Sequence, residues 1–106
     1  MELGLSGKRV IISGASRGIG LAIAAKFLEE GAAVALFARG QAGVDEALQH
    51  LQHKGTVFGD AVDAADHQAL RTWVAKSAER LGGIDIVVNN SSASASIEWT
   101  TQAWRN

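Results

Sequence analysis

Three closely spaced glycines follow a short apolar run, and their spacing suits a turn that binds phosphate. The run covers residues 10–12, and the glycines are Gly14, Gly18 and Gly20. Gly14 allows the chain to leave a strand with a positive φ angle. Gly18 has no Cβ, so the backbone can approach a pyrophosphate, and Gly20 lets the next helix pack closely on the strand. The pattern predicts a strand, a pyrophosphate-binding turn and a helix whose N-terminus favours an anion.

Two arginines could extend this site toward a further phosphate group. A dinucleotide-binding fold that prefers NAD carries an acidic residue near the end of its second strand, which accepts a hydrogen bond from the ribose 2′-hydroxyl. Here that position holds Ala38, and Arg39 follows it. Arg39 and Arg17, which lies in the glycine turn, could bind a 2′-phosphate. This pattern predicts NADP(H) in preference to NAD(H). The alternative is that both arginines are solvated loop charges.

Strands and helices alternate along the chain with the spacing of βαβ units, which is typical of a parallel sheet between helices. Asp66 is expected to cap the third helix, and Trp73 is expected to lie in the core. The predicted strands cover residues 10–12, 33–37, 56–58 and 84–89. The predicted helices cover residues 18–30, 42–53 and 67–81. A polar loop at 91–96 and the start of a fourth helix at 97–106 are predicted to follow.

The connections between these elements predict the order of the strands. Right-handed crossovers place strands 2 and 3 on one side of strand 1, and strand 4 on the other side. The expected fold is therefore a three-layer, Rossmann-like α/β sheet with strand order 3-2-1-4. Ligands of such sheets bind where the order reverses, at the carboxyl ends of strands 1 and 4. Gly14 follows strand 1, and Asn89 and Asn90 lie at the end of strand 4, so both lie at that crevice.

The composition excludes several other classes of function. With 47% hydrophobic and 20% charged residues, the chain is expected to fold, and its net charge of −1 gives no basis for binding nucleic acid or an anionic membrane. No apolar run is long enough to span a bilayer, and residues 1–8 do not resemble a signal peptide. The absence of cysteine fits the cytoplasm. His50, His53 and His67 are too dispersed to form a metal site.

Three segments carry a resemblance to one family. The glycine turn resembles the Thr-Gly-x3-Gly-x-Gly fingerprint of the short-chain dehydrogenases/reductases, with Ser13 in place of the threonine. Asp63-Ala64-Ala65-Asp66 is similar to the family's Asp-Val-Thr-Asp segment. Asn89-Asn90-Ser91-Ser92 is similar to its Asn-Asn-Ala-Gly segment, although Ser92 stands where the family has glycine and could crowd the adenosine ribose.

The resemblance implies which residues bind the cofactor. Asp63 would accept a hydrogen bond from the adenine amino group, and the backbone of Ala64 would flank the ring. Asp60 and Asp66 are expected only to cap turns and a helix, and the same capping role is the alternative for Asp63. The residues assigned to the cofactor are Gly14, Ser16, Arg17, Gly18, Ile19, Gly20, Arg39, Asp63, Ala64 and Asn90.

The groups that perform chemistry in this family have no counterpart in the sequence. In the family a tyrosine is the general acid/base, a lysine four residues later lowers its pKa, and an upstream serine assists. All three follow strand 4, and this sequence of 106 residues contains no tyrosine. We therefore expect residues 1–106 to be a truncated NAD(P)-binding domain from a reductase of carbonyl or alcohol substrates, inactive alone. The alternative is a non-catalytic nucleotide-binding or interaction module.

The predicted fourth strand raises an expectation about partners. Its residues Ile84, Ile86, Val87 and Val88 are apolar, and the sequence supplies no later strand to cover its far edge. An exposed apolar edge favours pairing with another chain. We expect the chain to associate with itself, to pair with a complementary fragment or to be marginally stable.

Overall fold

Parallel strands and helices alternate along the part of the chain that the computed structural model describes, residues 4–14 and 18–90. The predicted loop at 91–96 and the predicted helix at 97–106 lie outside these residues. The elements are β1 (Arg9–Ser13), α1 (Gly18–Glu29), β2 (Ala33–Ala38), α2 (Gln41–Leu51), a 3-10 turn (Gln52–Lys54), β3 (Val57–Ala61), α3 (His67–Leu81) and β4 (Ile86–Asn89).

The four strands form one parallel sheet in the order β3-β2-β1-β4, as the crossover rule predicts. β1 is central: Ile11 lies opposite Ala35 of β2 on one side and Val87 of β4 on the other. At its carboxyl end, Ser13 lies opposite Asn89. The crevice where the strand order reverses therefore lies beside the first glycine of the predicted turn.

Alternate residues of the central strands bury against opposite layers of helix. Val10, Ile12 and Leu36 are fully buried on the face that α1 and α2 cover, where Leu28 and Leu51 join the same cluster. The intervening strand residues face α3 and pack in a second cluster of Ile11, Ala35, Phe37, Leu70, Trp73 and Val74. This alternation explains why the strands of a sheet covered on both faces are apolar at nearly every position.

β3 extends further than its sequence indicates, and the predicted end at residue 58 is wrong. Gly59 and Asp60 are unfavourable strand residues, yet they pair with Leu36 and Phe37 of β2. The crowding of the sheet explains the glycine, because a Cβ at position 59 would lie 2.5 Å from the Leu36 Cδ1 atom. The close approach of the two backbones, and not strand propensity, therefore explains why residue 59 is a glycine.

β4 begins later and is less buried than predicted. Its residues Ile86 to Val88 are half-buried, because β4 lies at an edge of the described sheet and pairs there with β1 alone. The strand ladder starts at Ile86 because the side chain of Asp85 takes the place of a backbone acceptor: its Oδ2 accepts from the Arg9 backbone N–H at 2.9 Å. The expectation of a strand from residue 84 that is buried on both faces is corrected accordingly.

Arg9 and Asp85 join the amino ends of β1 and β4, at the end of the sheet opposite the crevice. The Arg9 guanidinium donates to both carboxylate oxygens of Asp85, at 2.9 and 3.1 Å, and to the carbonyl oxygen of Gly82. The hydrogen bond from the Arg9 side chain, followed by the bond from its backbone, lowers the pKa of Asp85 to about 2. This ion pair fixes the register of the two strands far from the candidate site.

The helix boundaries follow their sequence signals closely. α1 ends at Glu29, one residue earlier than predicted, and α2 covers residues 41–51 with a 3-10 turn in place of its predicted last residues. α3 begins and ends as predicted. Its N-cap is Asp66, whose Oδ1 accepts from the Ala69 backbone N–H at 3.1 Å. Each helix therefore begins beside the carboxyl end of the strand before it, where a ligand of the sheet binds.

Candidate cofactor-binding site

The described part of the glycine turn has the backbone geometry that a phosphate site needs. Gly14 follows β1 with a φ of 66°, and Gly18 opens α1 with a φ of 63°. Both angles are in the left-handed region that favours glycine. A Cβ at position 18 would meet no atom of residues 4–14 or 18–90 within 4 Å, so these residues leave the space in front of this backbone open. Ala15, Ser16 and Arg17 lie outside the described residues.

The first turn of α1 has one side chain in solvent and one position against the sheet. Ile19 is 72% exposed, which is unusual for a large apolar side chain. Gly20 is buried, as expected where the helix approaches the strand. The first backbone N–H groups of α1 have no acceptor within the helix itself, and an exposed apolar side chain lies in the same turn. This combination suits a ligand that has both a phosphate group and an apolar part.

A buried hydroxyl connects the carboxyl ends of β1 and β4. Ser13 is 3% exposed, and its Oγ donates to the Asn89 Oδ1 at 2.9 Å. The same oxygen accepts from the Asn90 backbone N–H, also at 2.9 Å. The Nδ2 of Asn90 in turn donates to the Gly14 carbonyl oxygen at 3.5 Å. The structure therefore places Asn90 against the glycine turn, as the predicted topology requires.

The carboxyl end of β2 also lies near the glycine turn. The backbone N–H of Gly14 donates to the carbonyl oxygen of Phe37 at 2.8 Å. Ala38 ends the strand and is 7% exposed, whereas Arg39 is exposed and forms no hydrogen bond or ion pair with residues 4–14 or 18–90. The donors of the Arg39 guanidinium are therefore not used by any residue in the described part of the chain.

The loop between β3 and α3 holds the two residues predicted to contact adenine. The Asp63 Oδ1 accepts from the Ala65 backbone N–H at 3.0 Å, and the Asp63 carbonyl oxygen accepts from the Asp66 N–H at 2.9 Å. Asp63 is exposed, and its other carboxylate oxygen has no partner in the described part of the chain. Ala64 packs against the cluster under α3. Asp63 thus shapes its own turn and retains an oxygen for a donor.

Asp60 does not have the capping role predicted for it. It lies in β3, and its Oδ2 accepts from the Trp73 indole N–H at 2.8 Å. Trp73 is 7% exposed and belongs to the core, as expected. An open groove of about 710 Å³ lies beside this contact, and its lining includes Asp60, Asp63, Thr72, Trp73 and Lys76. The exposed carboxylate of Asp63 is thus accessible from that groove.

Within residues 4–14 and 18–90, no three histidine, cysteine, aspartate or glutamate side chains come together as metal ligands. No helix in that same part of the chain is long and apolar enough to cross a bilayer.

Sequence reasoning missed two of the contacts that organise this region. The family fingerprint identifies Ser13 only as a substitute for threonine, although a hydroxyl at the end of a buried strand is a signal for a cross-strand hydrogen bond. The Asp60–Trp73 hydrogen bond joins residues 13 positions apart on different elements. No local pattern indicates that contact, because it depends on how far β3 extends.

Comparisons with known proteins agree with the fold. The model of the short chain dehydrogenase family matches residues 8–106. An uncharacterized oxidoreductase of Bacillus subtilis, YvrD, is 43% identical over 90 residues, which are 85% of this chain and 34% of that protein. The dehydrogenase/reductase SDR family member 4 of Caenorhabditis elegans is 38% identical over 104 residues, 92% of this chain and 40% of the relative.

Solved structures show the same architecture. A short chain dehydrogenase of Mycobacterium thermoresistibile superimposes with a TM-score of 0.77 and 42% identity, over 84% of this chain and 35% of that one. An NAD+-bound xylitol dehydrogenase superimposes with a TM-score of 0.76 and 27% identity, over 78% of this chain and 32% of that one.

The chain thus spans 32–40% of the length of these four proteins. Proteins of this family use NAD or NADP as dinucleotide cofactors. The match over residues 8–106, together with the β3-β2-β1-β4 sheet and its glycine turn, shows that the chain belongs to the short-chain dehydrogenase family.

Proposed function

We propose that this chain binds NADP(H) and forms the cofactor-binding part of an enzyme that transfers a hydride between NADPH and a carbonyl or alcohol substrate. The observation that supports the proposal best is the open space at Gly18. Its positive φ, and the volume beside it that the described residues leave free, would give a pyrophosphate access to the N-terminus of α1. Residues 1–106 would then be part of one dinucleotide-binding domain.

The described contacts suit the two halves of such a cofactor. The pyrophosphate would bind the turn from Gly14 to Gly20, which includes Ser16 and Ile19, while Asn90 supports the turn through the Gly14 carbonyl oxygen. The free carboxylate oxygen of Asp63 would accept from the adenine amino group, beside the backbone of Ala64. The nicotinamide would supply or accept the hydride when bound.

The preference for NADP(H) rests on charge at the end of β2. Ala38 provides no carboxylate to accept from a ribose 2′-hydroxyl, so the interaction that favours NAD is missing. Arg39 is exposed and without an ionic partner in the described residues, and its guanidinium matches the geometry of a phosphate. Arg17 would contribute a second positive charge from the glycine turn.

Proton transfer would come from groups outside residues 1–106. The 106 residues include no tyrosine, so they do not contain the general acid/base that relatives of this family carry. We therefore expect the chain to bind cofactor without turnover by itself.

The cysteine-free composition is the basis for proposing a cytoplasmic location.

A titration with NADPH, followed by nicotinamide fluorescence, tests cofactor binding. The informative variant is Gly18→Ala, whose Cβ would occupy the open space at the turn. Gly7→Ala is the matched control, because Gly7 also has a positive φ, 79°, and equally open surroundings, but precedes β1 at the far end of the sheet. We expect saturable binding to the wild type and to Gly7→Ala, and weaker binding to Gly18→Ala. If NADPH does not bind saturably to the wild type, a non-catalytic module becomes the better interpretation.

We also propose that the free edge of β4 pairs with a second copy of this chain. Within the described residues β4 pairs with β1 alone, and its apolar residues Ile86 to Val88 are only half-buried. An unpaired apolar edge offers backbone donors and acceptors to another strand. Sedimentation over a dilution series should show associated species at high concentration. On dilution they should give way to a monomer that is either folded or unfolding. A stable folded monomer at every concentration would contradict this proposal.

A further inference from the structure

Trp73 contacts the ends of two different strands from its position on α3. Its indole N–H donates to the Asp60 Oδ2, near the end of β3, at 2.8 Å. Its ring packs edge-on against Phe37, near the end of β2, with ring centroids 4.9 Å apart and an interplanar angle of 62°. Trp73 is 7% exposed and Phe37 is 2% exposed, so the ring contact is shielded from water, whereas Asp60 is exposed and its hydrogen bond to the indole is only partly buried. One tryptophan therefore bridges β2 and β3 just before their loops begin.

The two contacted residues precede the groups proposed to recognise the adenosine half of the cofactor. Phe37 is two residues before Arg39, and its carbonyl oxygen accepts from the Gly14 N–H at 2.8 Å. Asp60 is three residues before Asp63. A hydrogen bond from the Val62 N–H to the Ala38 carbonyl oxygen, at 2.9 Å, continues the contact between the two chain segments. A displacement of either strand end would move a proposed recognition group.

The last residues of β3 are only weakly held by strand pairing and burial, so a side-chain contact such as this one matters there. β3 lies at an edge of the described sheet, so its backbone pairs with β2 alone. Its last residues, Gly59 to Ala61, have low strand propensity and bury little apolar area. A charge-assisted hydrogen bond to a nearly buried indole is among the stronger single contacts available to such a segment.

We infer that Trp73 is a positioning residue, which holds the end of β3 against the end of β2 through its hydrogen bond to Asp60 and thereby sets the position of Asp63 relative to Arg39. The effects on cofactor binding that this inference predicts rest on the proposed function. The structural content of the inference, the placement of residues 61–66, is independent of any ligand. A residue that only fills the core would need its ring and not its N–H.

The variants separate the hydrogen bond from packing and from charge. Trp73→Phe keeps an aromatic ring beside Phe37 and removes the indole donor. Asp60→Leu removes the acceptor, whereas Asp60→Asn keeps an oxygen that can accept from the indole and removes the charge. Glu79→Leu makes the same change of charge and polarity at an exposed position of α3 and is the control.

Binding is measured calorimetrically with two ligands, adenosine 2′,5′-bisphosphate and inorganic pyrophosphate, on the protein as expressed. We expect Trp73→Phe and Asp60→Leu to bind the adenosine ligand about tenfold more weakly, the effect of one lost hydrogen bond. Asp60→Asn keeps a neutral hydrogen bond and should lose less affinity than Asp60→Leu. Glu79→Leu should retain the wild-type affinity, and pyrophosphate binding should change little in any variant. Because Asp60→Leu removes a negative charge, electrostatics alone would strengthen its binding of an anion.

Amide hydrogen exchange without ligand tests the placement itself. Residues 61–66 should exchange about tenfold faster in Trp73→Phe and Asp60→Leu than in the wild type, and at an intermediate rate in Asp60→Asn, which keeps a weaker, neutral hydrogen bond. Unchanged exchange in this segment, with only a lower global stability, would overturn the inference. If the wild type binds neither ligand, the proposed function fails, and the exchange rates still decide whether Trp73 positions the loop.

Discussion

The Ser13 hydroxyl accepts a hydrogen bond from the Asn90 backbone N–H at 2.9 Å and donates one to the Asn89 side chain at the same distance. One buried oxygen thus uses both its donor and an acceptor site to join two strand ends that are more than 70 residues apart in the chain. The crevice between β1 and β4 therefore has a fixed width beside the glycine turn.

Removal of this hydroxyl should destabilise the fold. In Ser13→Ala the Asn90 N–H and the Asn89 amide oxygen each lose a partly buried hydrogen bond, which costs about 0.5–1.5 kcal/mol of unfolding free energy. Urea denaturation measures the loss. Ser13→Thr retains the hydroxyl and is the control, with a stability close to that of the wild type. Equal destabilisation by alanine and threonine would show that packing at position 13, and not the hydrogen bond, is responsible.

An added methyl group at position 59 should also destabilise the sheet. In Gly59→Ala the new Cβ would lie 2.5 Å from the Leu36 Cδ1 and 2.6 Å from the Leu36 carbonyl oxygen, so the two strands must move apart. Overpacking of this kind costs about 1–3 kcal/mol. Gly40→Ala is the control, because its Cβ would meet nothing within 4 Å. A thermal unfolding curve for Gly59→Ala that matches the wild type would contradict the close packing of β2 on β3.

Stability should depend on pH through Asp85. Its pKa is lowered to about 2 in the folded chain from an ordinary 3.8, mainly by the hydrogen bond from the Arg9 side chain. A carboxyl group with a lowered folded pKa stabilises the fold above its unfolded pKa, and that contribution is lost as the pH falls toward 2. The urea midpoints of the wild type and of Asp85→Asn are measured between pH 4 and pH 2. The midpoint of the wild type should fall more steeply over this range as the pH decreases. Parallel curves would show that the ion pair does not contribute.

Replacement of the arginine after β2 should change the cofactor preference. In Arg39→Asp a carboxylate replaces the guanidinium, so it should repel a 2′-phosphate and could accept from a 2′-hydroxyl. We expect NADPH to bind about 10- to 100-fold more weakly, as for the loss of one or two charged hydrogen bonds, and NADH to bind at least as well. Fluorescence titration with both cofactors measures the change. Arg71→Asp, on the exposed surface of α3, controls for net charge. Equal affinity of the wild type for the two cofactors would remove the basis for the preference.

The features that the sequence predicted correctly are those that its local patterns determine. Apolar runs mark three of the strands, glycines end the helices, and Asp66 caps α3 as its position indicates. The strand order follows from these elements and the handedness of their connections, with no knowledge of individual contacts. The position of Asn90 beside Gly14 is a consequence of that order.

Other features depend on contacts between distant residues and could not be predicted. β3 continues through Gly59 and Asp60 because β2 pairs with it, although both residue types favour turns. Asp60 is then brought to Trp73, which gives it a partner that no spacing rule indicates. The partial exposure of β4 likewise reflects which neighbours it has, since its own residues are as apolar as those of a fully buried strand.

The position of β1 has a consequence for the order of events during folding. β1 is near the start of the chain, yet one of its neighbours, β4, is contributed by residues 86–89, and the Arg9–Asp85 pair closes a loop of 76 residues. Pairs so far apart are slow to form because a long loop must close before its contacts stabilise it. During synthesis β1 can pair with β2 early, but one of its edges remains open until residue 89 has emerged from the ribosome. β1 is therefore paired on both sides only after β4 has been made, and until then the nascent chain exposes it to incorrect pairing.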